Sequence, residues 1–242
     1  MKDHQDVYGH EVYDFYHAIA GYEIVERDDG YFHVSENAPA CYFFEFKDWP
    51  RHHQRVMKYV KGNVLDVGCG PGRHIKYLVD NGFEYLGIDI SPLALEVCRL
   101  RGYENVKNLH IGKVSKTLGK FDTILLLGNN FGLLRDLERA NRRLKNFCSI
   151  TNPGAVILVE SIDFSKDKNP DNLEYLGRNK KRGRMPGQLR LRLRYKKYIS
   201  EWFDYLQVSK DELKEIVKNT GWEIKKIIDS EDLRFIAVLE KV

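Results

Sequence analysis

The stretch "VLDVGCGPGRH", residues 64–74, decides the fold of this chain. An apolar run carries an acid, Asp66, and three glycines follow it at every second position, Gly68, Gly70 and Gly72. Glycine adopts the left-handed backbone conformations that tight turns require, and it allows a ligand to approach the main chain closely. The residues after the turn favour a helix, whose first backbone N–H groups would face such a ligand. The stretch therefore predicts a strand, a ligand-binding turn and a helix.

A second strand and a second helix follow the glycine turn. "YLGIDI" predicts a buried strand, and in "SPLALEVCRLRG" Ser91 is a helix cap, Pro92 suits the first turn and Gly102 ends the helix. Strands and helices alternate to about residue 162, and a helix capped by Ser209 precedes two final strands. We therefore predict an α/β fold with a doubly wound, mostly parallel sheet of the Rossmann-like type.

Two segments interrupt this alternation. Residues 1–60 are rich in aromatic residues and histidines, and we expect them to form a cover or lid over a core at 61–242. Their "ACYFFEF" stretch, residues 40–46, would either close over a ligand or form a plain strand. The second segment is a strongly basic insertion at about 163–208. Its "LRLRLRY" stretch alternates leucine with arginine, which predicts a half-buried strand at the edge of a sheet.

The bulk composition excludes several classes of protein. With 242 residues, 43% of them hydrophobic, the chain can build one main domain with elaborations. A formal charge of +4 does not by itself indicate a polyanionic partner. No apolar run approaches the roughly 18 residues of a membrane helix, and the start lacks a secretory signal. The four cysteines are far apart, which favours reduced thiols in the cytoplasm and predicts no metal site.

Two ligand classes use a strand–glycine turn–helix unit. The dinucleotide fingerprint GxGxxG requires a third glycine where this chain has Arg73, so that interpretation fails. The pattern present is DxGxGxG, followed by Asp89 at the end of the second strand. This set resembles the motifs of the class I S-adenosylmethionine-dependent methyltransferases. The resemblance implies a seven-stranded sheet whose last strand is antiparallel.

The resemblance also implies how the cofactor is held. The glycine turn would pass under the amino acid and ribose parts, Asp89 would accept hydrogen bonds from both ribose hydroxyls, and Ile90 would lie against adenine. Many members have an acid after the third strand that binds adenine, and "LHIGKVSK" lacks one. The implied cofactor-binding residues are Asp66, Gly68, Cys69, Gly70, Gly72, Asp89, Ile90, Lys113, Val114, Asn129 and Asn130.

The reaction implied is in-line displacement at the sulfonium methyl, for which positioning matters most, and no catalytic residue is identified. Candidate substrate contacts are Asn130, Glu160 and Trp202. The pair Asn129 and Asn130 could instead simply turn the chain into the next helix, and the tryptophan could be core packing. His52 and His53 are adjacent on a predicted helix and point in different directions, so at most one of them could face the site. We favour the alternative that both are surface residues.

We therefore predict an enzyme that methylates an unidentified small molecule. An RNA methyltransferase is the alternative, docking through Arg190, Arg192 and Arg194. For the arginine strand itself, a solvated outer face or an anionic small-molecule site remains open. Tyrosines available for base stacking in the RNA alternative are Tyr175, Tyr195 and Tyr198. A cofactor-binding subunit without activity is a third hypothesis.

Overall fold

The structure is a computed structural model and describes residues 2–35 and 38–242. The chain divides into two compact units, each built from three segments. The first unit comprises Met1–Trp49, Leu65–Lys113 and Arg190–Phe203. The second comprises Pro50–Val64, Val114–Leu189 and Asp204–Val242.

Helices and strands alternate through most of the described chain. The α-helices are α1 Val7–Tyr16, α2 Ala38–Cys41, α3 Arg51–Val56, α4 Arg73–Asp80, α5 Pro92–Leu100, α6 Leu137–Ser149, α7 Pro170–Lys181 and α8 Lys210–Val217. The strands are β1 Glu23–Arg27, β2 Phe32–Ser35, β3 Val64–Val67, β4 Tyr85–Asp89, β5 Val106–Asn108, β6 Phe121–Leu126, β7 Thr151–Ile162, β8 Gln188–Tyr195, β9 Tyr198–Ile199, β10 Phe203–Leu206, β11 Trp222–Asp229 and β12 Arg234–Lys241. Within the described residues, no helix has the length and apolarity needed to cross a membrane.

The larger sheet has seven strands in the order β11-β12-β7-β6-β3-β4-β5. The β4–β5 and β6–β7 pairs are parallel, as expected where helices connect successive strands. The last strand, β12, runs antiparallel to both of its neighbours, β7 and β11. The predicted seven-stranded, mostly parallel sheet with an antiparallel last strand is confirmed.

In the first unit, the helices after β3 and β4 pack through a small apolar core. Cys69, Ile75, Leu95, Cys98 and Tyr103 are all buried and form one contiguous cluster. The predicted cap of α5 is confirmed, because the side chain at position 91 accepts a hydrogen bond of 3.0 Å from the backbone N–H at position 94. These contacts hold the glycine turn between β3 and α4.

In the second unit, α8 packs against α6 and against β11. The capping box predicted for α8 is present, with Ser209 and Glu212 each accepting a hydrogen bond from the other's backbone N–H. Trp222 at the start of β11 is buried, and its indole N–H donates to the Leu144 carbonyl at 2.9 Å. The closing helix and strands therefore follow the sequence prediction.

The smaller sheet corrects the placement of the arginine-rich strand. Its order is β10-β8-β1-β2, with β9 paired to β8. Strand β8 is thus an interior strand, and the prediction that it lies at an edge is wrong. The physical reason is that the N-terminal strand β1 pairs antiparallel with it, placing Ile24 opposite Arg194 and Arg27 opposite Leu191. A distant segment of sequence supplies the missing neighbour.

The basic insertion also contains a helix that we did not predict. Helix α7 begins after Asn169, whose side chain accepts a hydrogen bond of 2.9 Å from the Asp171 backbone N–H, and Pro170 occupies the first turn. Both are ordinary helix-start signals. Tyr175 is 2% exposed and anchors the helix. The insertion is therefore mixed α/β, with a helix before its strands.

The aromatic stretch at residues 40–46 does not form a strand. Its first residues belong to the short helix α2, and a 3₁₀ turn begins at Phe46. The Cys41 thiol donates to the Ala38 carbonyl at 2.9 Å within this turn. The plain-strand alternative for this stretch is therefore wrong, and its closure over a ligand stays a prediction.

Candidate functional site

The glycine turn of the first unit has the backbone conformation that its sequence predicts. Gly68, Gly70 and Gly72 have φ angles of +72°, +53° and +88°, in the left-handed region that favours glycine. The Gly68 backbone N–H donates to the Ile88 carbonyl at 2.8 Å, which ties the turn to β4. Because these three residues have no side chains, a ligand at the end of β3 could approach the backbone of the turn directly.

The turn is packed closely enough that a single methyl group should be costly at Gly72. A Cβ there would lie 2.7 Å from Tyr103 Cδ2 and 3.1 Å from Cys98 Sγ. Gly102 has a similar φ of +84° but would meet no described atom within 4 Å. We expect Gly72→Ala to lower the free energy of unfolding by about 1–3 kcal/mol more than Gly102→Ala, measured by urea denaturation. Equal losses would show that backbone conformation alone requires glycine at position 72.

Asp89 closes the far side of this turn. Its Oδ2 accepts from the Gly70 backbone N–H at 2.9 Å, and its Oδ1 accepts from the Ser91 backbone N–H at 2.9 Å. Burial raises the pKa of Asp89, while these backbone donors act in the opposite direction. A carboxylate has about four acceptor positions, so each oxygen can still accept from a hydroxyl. Asp89 therefore fits a neighbouring pair of hydroxyl donors.

Asp66 supplies a second, unsatisfied acceptor in the first unit. The residue is 0% exposed, and no hydrogen bond from the described residues reaches either carboxyl oxygen. The Nδ1 atom of His74 lies 3.7 Å from Asp66 Oδ1, beyond hydrogen-bond distance. Burying a carboxyl without donors is costly, so a ligand that donates hydrogen bonds would relieve that cost. The glycine turn, Asp66 and Asp89 together fit the amino acid and ribose parts of S-adenosylmethionine.

The other residues predicted to bind cofactor in this region differ in exposure. Cys69 is buried, whereas Ile90 is 43% exposed at the end of β4. Lys113 is exposed on a 3₁₀ turn. Val114 is buried, and its carbonyl accepts from the Asn146 side chain at 2.7 Å. Their contacts with adenine stay predictions.

The second unit contains a buried network around Glu160, near the end of β7. Glu160 Oε1 lies 2.9 Å from His53 Nε2 and 3.4 Å from His52 Nε2. Glu160 Oε2 accepts from the backbone N–H groups of Gly128 at 2.5 Å and Asn129 at 3.0 Å. Burial acts to raise the pKa of Glu160, but attraction from His53 and these hydrogen bonds hold it well below its usual range.

This network overturns our expectation for the histidine pair. His52 and His53 are 4% and 2% exposed, and both contact the same carboxyl oxygen, so neither is a surface residue. Their rings lie 4.7 Å apart and nearly perpendicular, which allows adjacent positions of α3 to converge on Glu160 from two sides. The three side chains could hold a metal ion, since their ligand atoms lie within 4.8 Å of one another. Four donors already satisfy the carboxylate, so the network is complete without one.

The asparagine pair after β6 belongs to the same network. Asn129 has a φ of +63°, its N–H donates to Glu160, and its carbonyl accepts from the Tyr205 hydroxyl at 2.8 Å. Asn130 begins a 3₁₀ helix. The backbone of Asn129 thus turns the chain, while its side-chain oxygen is buried with no hydrogen-bond partner among the described residues. Ligand contacts by the two asparagines stay predictions.

The arginines of β8 are engaged within the first unit. Arg192 and Arg194 both donate to Glu26 of β1, with shortest distances of 2.6 Å and 2.5 Å. These bonds, led by the one from Arg192, lower the pKa of Glu26 to about 2. The Arg192 guanidinium also lies 4.5 Å from the centre of the Trp202 ring. Trp202 therefore packs on a cation, and a substrate contact by this residue stays a prediction.

A further group of side chains in the first unit was not predicted from the sequence. It combines two acids and two tyrosines from α1, β1 and the residue after α2. We call it the acidic-aromatic cluster, and its members are Tyr8, Glu11, Glu23 and Tyr42. The Tyr42 hydroxyl donates to Glu23 Oε2 at 2.7 Å, and the Tyr8 and Tyr42 rings lie 5.1 Å apart at 87°. In the sequence, only the high aromatic content of residues 1–60 pointed to this region, and it did not indicate which side chains would contact one another.

Comparison with known proteins matches this architecture to one family. Residues 44–227 match a family model described as "Methyltransferase domain". A solved S-adenosylmethionine-dependent methyltransferase from Bacteroides fragilis, in complex with S-adenosyl-L-homocysteine, superposes with a TM-score of 0.84 at 25% identity. The superposition covers 100% of this chain and 97% of that one.

Curated relatives align over shorter regions. A dTDP-3-amino-3,6-dideoxy-alpha-D-glucopyranose N,N-dimethyltransferase from Streptomyces fradiae is 28% identical over 110 residues, 45% of this chain and 42% of the relative. A tRNA U34 carboxymethyltransferase from Shewanella denitrificans is 38% identical over 87 residues, 33% of this chain and 26% of the relative. The chain thus spans less than half the length of these two relatives. With the matched family model, the sheet order and the glycine turn, the chain belongs to the class I S-adenosylmethionine-dependent methyltransferases.

Proposed function

We propose that this protein transfers a methyl group from S-adenosylmethionine to a small molecule. The observation that carries the proposal is the set of open acceptors around the glycine turn. Asp66 has no hydrogen-bond donor, and Asp89 keeps acceptor capacity on both oxygens. When bound, the cofactor supplies an electrophilic methyl group on a sulfonium. The turn, Asp66 and Asp89 would orient it.

The contribution of the protein is positioning. Fixing a nucleophile in line with a bound electrophile supplies a large part of the rate enhancement, and a base is needed only if the acceptor must lose a proton. Asn130, Glu160 and Trp202 remain our proposed substrate-side residues, with Glu160 acting through the backbone of the 128–129 turn that it holds. No residue is assigned as a catalytic base.

The ion pairs and the burial of tyrosines in the basic insertion favour a small-molecule acceptor over RNA. Arg192 and Arg194 are paired with Glu26, so fewer cations on β8 are available for phosphates. Two of the tyrosines considered for base stacking, Tyr175 and Tyr195, are 2% and 1% exposed. Relatives act on both kinds of acceptor, an amino sugar nucleotide and a tRNA, and so do not discriminate.

All four cysteines are free thiols, two of them buried. Free thiols are typical of proteins kept in a reducing compartment. We therefore propose a cytoplasmic location, which fractionation of the cells that make the protein would test.

The function can be tested without knowing the acceptor. Purified protein is incubated with methyl-labelled S-adenosylmethionine and cell extract split into desalted macromolecules and small metabolites, with and without ribonuclease. We expect label in the metabolite fraction, and none with Asp89→Ala. Ribonuclease-sensitive label in the macromolecular fraction would replace the small-molecule proposal with RNA. Absence of label in every fraction, together with cofactor binding, would indicate a subunit without activity.

A further inference from the structure

The acidic-aromatic cluster lies directly against the glycine turn of the first unit. A side chain at Gly70 would collide with the hydroxyl of Tyr8, whose ring therefore reaches over the turn. The N-terminal end of α1 is fixed to the start of α5, because Asp6 accepts hydrogen bonds from the backbone N–H groups of Gly9 at 3.0 Å and Leu93 at 3.1 Å. The cluster is thus held beside the residues that fit S-adenosylmethionine.

The cluster carries two carboxyl groups in a poorly solvated position. Glu11 is 2% exposed, and its Oε1 has no hydrogen-bond partner among the described residues. Burial, followed by repulsion from Glu23, raises the pKa of Glu11 to about 9. Burial also raises the pKa of Glu23, although its hydrogen bond from Tyr42 acts against this. Both acids are therefore short of positive charge.

Strand β1, which carries Glu23, also contains an acid whose charge is matched by cations. Glu26, three residues after Glu23, binds two arginines, and its pKa is lowered to about 2. No lysine or arginine in residues 2–35 and 38–242 forms an ion pair with Glu11 or Glu23. Among the described residues, the cation-forming group that acts on Glu23 is His33. The protein itself thus leaves the charge of the pair largely unmatched.

The aromatic members complete the recognition chemistry. The perpendicular Tyr8 and Tyr42 rings present π faces and edges beside the two acids. Aromatic faces attract organic cations, and the attraction is strengthened where water is excluded. Carboxyl groups and tyrosine rings in one partly buried cluster suit a soft, alkylated cation better than a strongly hydrated metal ion.

We propose that the acidic-aromatic cluster binds an organic cation, a sulfonium or an alkylammonium group, beside the glycine turn. This inference rests on the proposed function, which supplies two sources for that cation: the sulfonium of S-adenosylmethionine and an amine acceptor. Entry of the cation stabilises the ionised form of Glu11, and the proton that Glu11 gives up passes to solvent. Cation binding is therefore accompanied by proton release.

The first arm of the test compares cofactor and product. Glu11→Gln keeps the shape of the side chain and removes its charge, and Glu84→Gln, at an exposed glutamate of the same unit, is the matched control. Calorimetry measures the Kd of S-adenosylmethionine and of S-adenosylhomocysteine, whose sulfur is neutral. If the sulfonium is the source, Glu11→Gln weakens S-adenosylmethionine at least tenfold and S-adenosylhomocysteine less than twofold. Runs in buffers of different ionisation enthalpy detect the released proton.

The second arm addresses an ammonium source. Protein saturated with S-adenosylhomocysteine is titrated with choline and with its uncharged tert-butyl isostere. If an acceptor amine is the source, wild type prefers choline, and Glu11→Gln reduces that preference at least tenfold. Tyr42→Phe, which releases Glu23 from its hydrogen bond, gives a second variant if Glu11→Gln does not fold.

The possible results distinguish failure of the cation site from failure of the proposed methyltransferase function. Unchanged preferences in both arms would overturn the cation site while leaving the methyltransferase proposal intact. Failure of the wild-type protein to bind either S-adenosylmethionine or S-adenosylhomocysteine would instead overturn the proposed function. A tenfold change of preference in either arm supports the cation site and names its source.

Discussion

Glu160→Ala is expected to lower the free energy of unfolding by about 3–5 kcal/mol, as removal of one partner from a buried charged network typically does. The substitution removes the acceptor of four donors: the imidazole groups of His52 and His53 and the backbone N–H groups of Gly128 and Asn129. Chemical denaturation with urea measures the loss. Glu223→Ala, at an exposed glutamate of the same unit, should change stability by less than about 0.5 kcal/mol.

The same network gives this variant a distinct pH dependence. The pKa of Glu160 is lowered in the folded protein, so the unfolded chain binds more protons between that lowered pKa and the ordinary value near 4.5. The stability contributed by Glu160 is therefore complete above about pH 4.5 and is lost as the pH falls through the lowered pKa. We expect the difference in stability between wild type and Glu160→Ala to shrink on acidification. A difference that stays constant from neutral pH to pH 3 would contradict an ionised Glu160.

Asp89→Ala is expected to weaken binding of S-adenosylhomocysteine at least tenfold, a loss of about 1.4 kcal/mol. The side chain accepts hydrogen bonds from the Gly70 and Ser91 backbone N–H groups, and its remaining acceptor positions would be available to the ribose hydroxyls of a bound cofactor. Calorimetry measures the affinity, and urea denaturation verifies that the variant is folded at the assay temperature. Asp80→Ala, at an exposed aspartate of the first unit, is the matched control and should bind within twofold of wild type. Unchanged affinity in Asp89→Ala would remove this residue from the site.

Features that depend on a few neighbouring residues could be predicted from the sequence. The three positive φ angles of the turn, the Ser91 cap and the Ser209–Glu212 capping box each follow from local chemistry. The number of strands and the antiparallel last strand also followed, because the resemblance covers the alternation of strands and helices in this part of the chain. The position of Asp89 at the end of β4 was also predicted, because its spacing from the turn is set by one helix and one strand.

Features that join distant segments could not be predicted. His53 and Glu160 meet across 107 residues of sequence, and nothing in either local pattern indicates the other. Adjacent histidines on a helix suggested divergent directions, whereas a buried carboxylate between them draws both rings inward. The acidic-aromatic cluster was missed for the same reason, since its members come from α1, β1 and the residue after α2, and no local pattern indicates that they meet.

The pairing of β1 with β8 has a consequence for how the chain folds. Glu26 and Arg194 are separated by 168 residues, so β1 and β2 are synthesised long before the strand that completes their sheet. Contacts between distant residues form slowly, because the intervening loop must close first. The β1–β2 hairpin alone is too small to be stable, and until β8 arrives its edge remains open to pairing with other chains. The N-terminal segment is therefore the part of this protein that a chaperone would be expected to shield during synthesis.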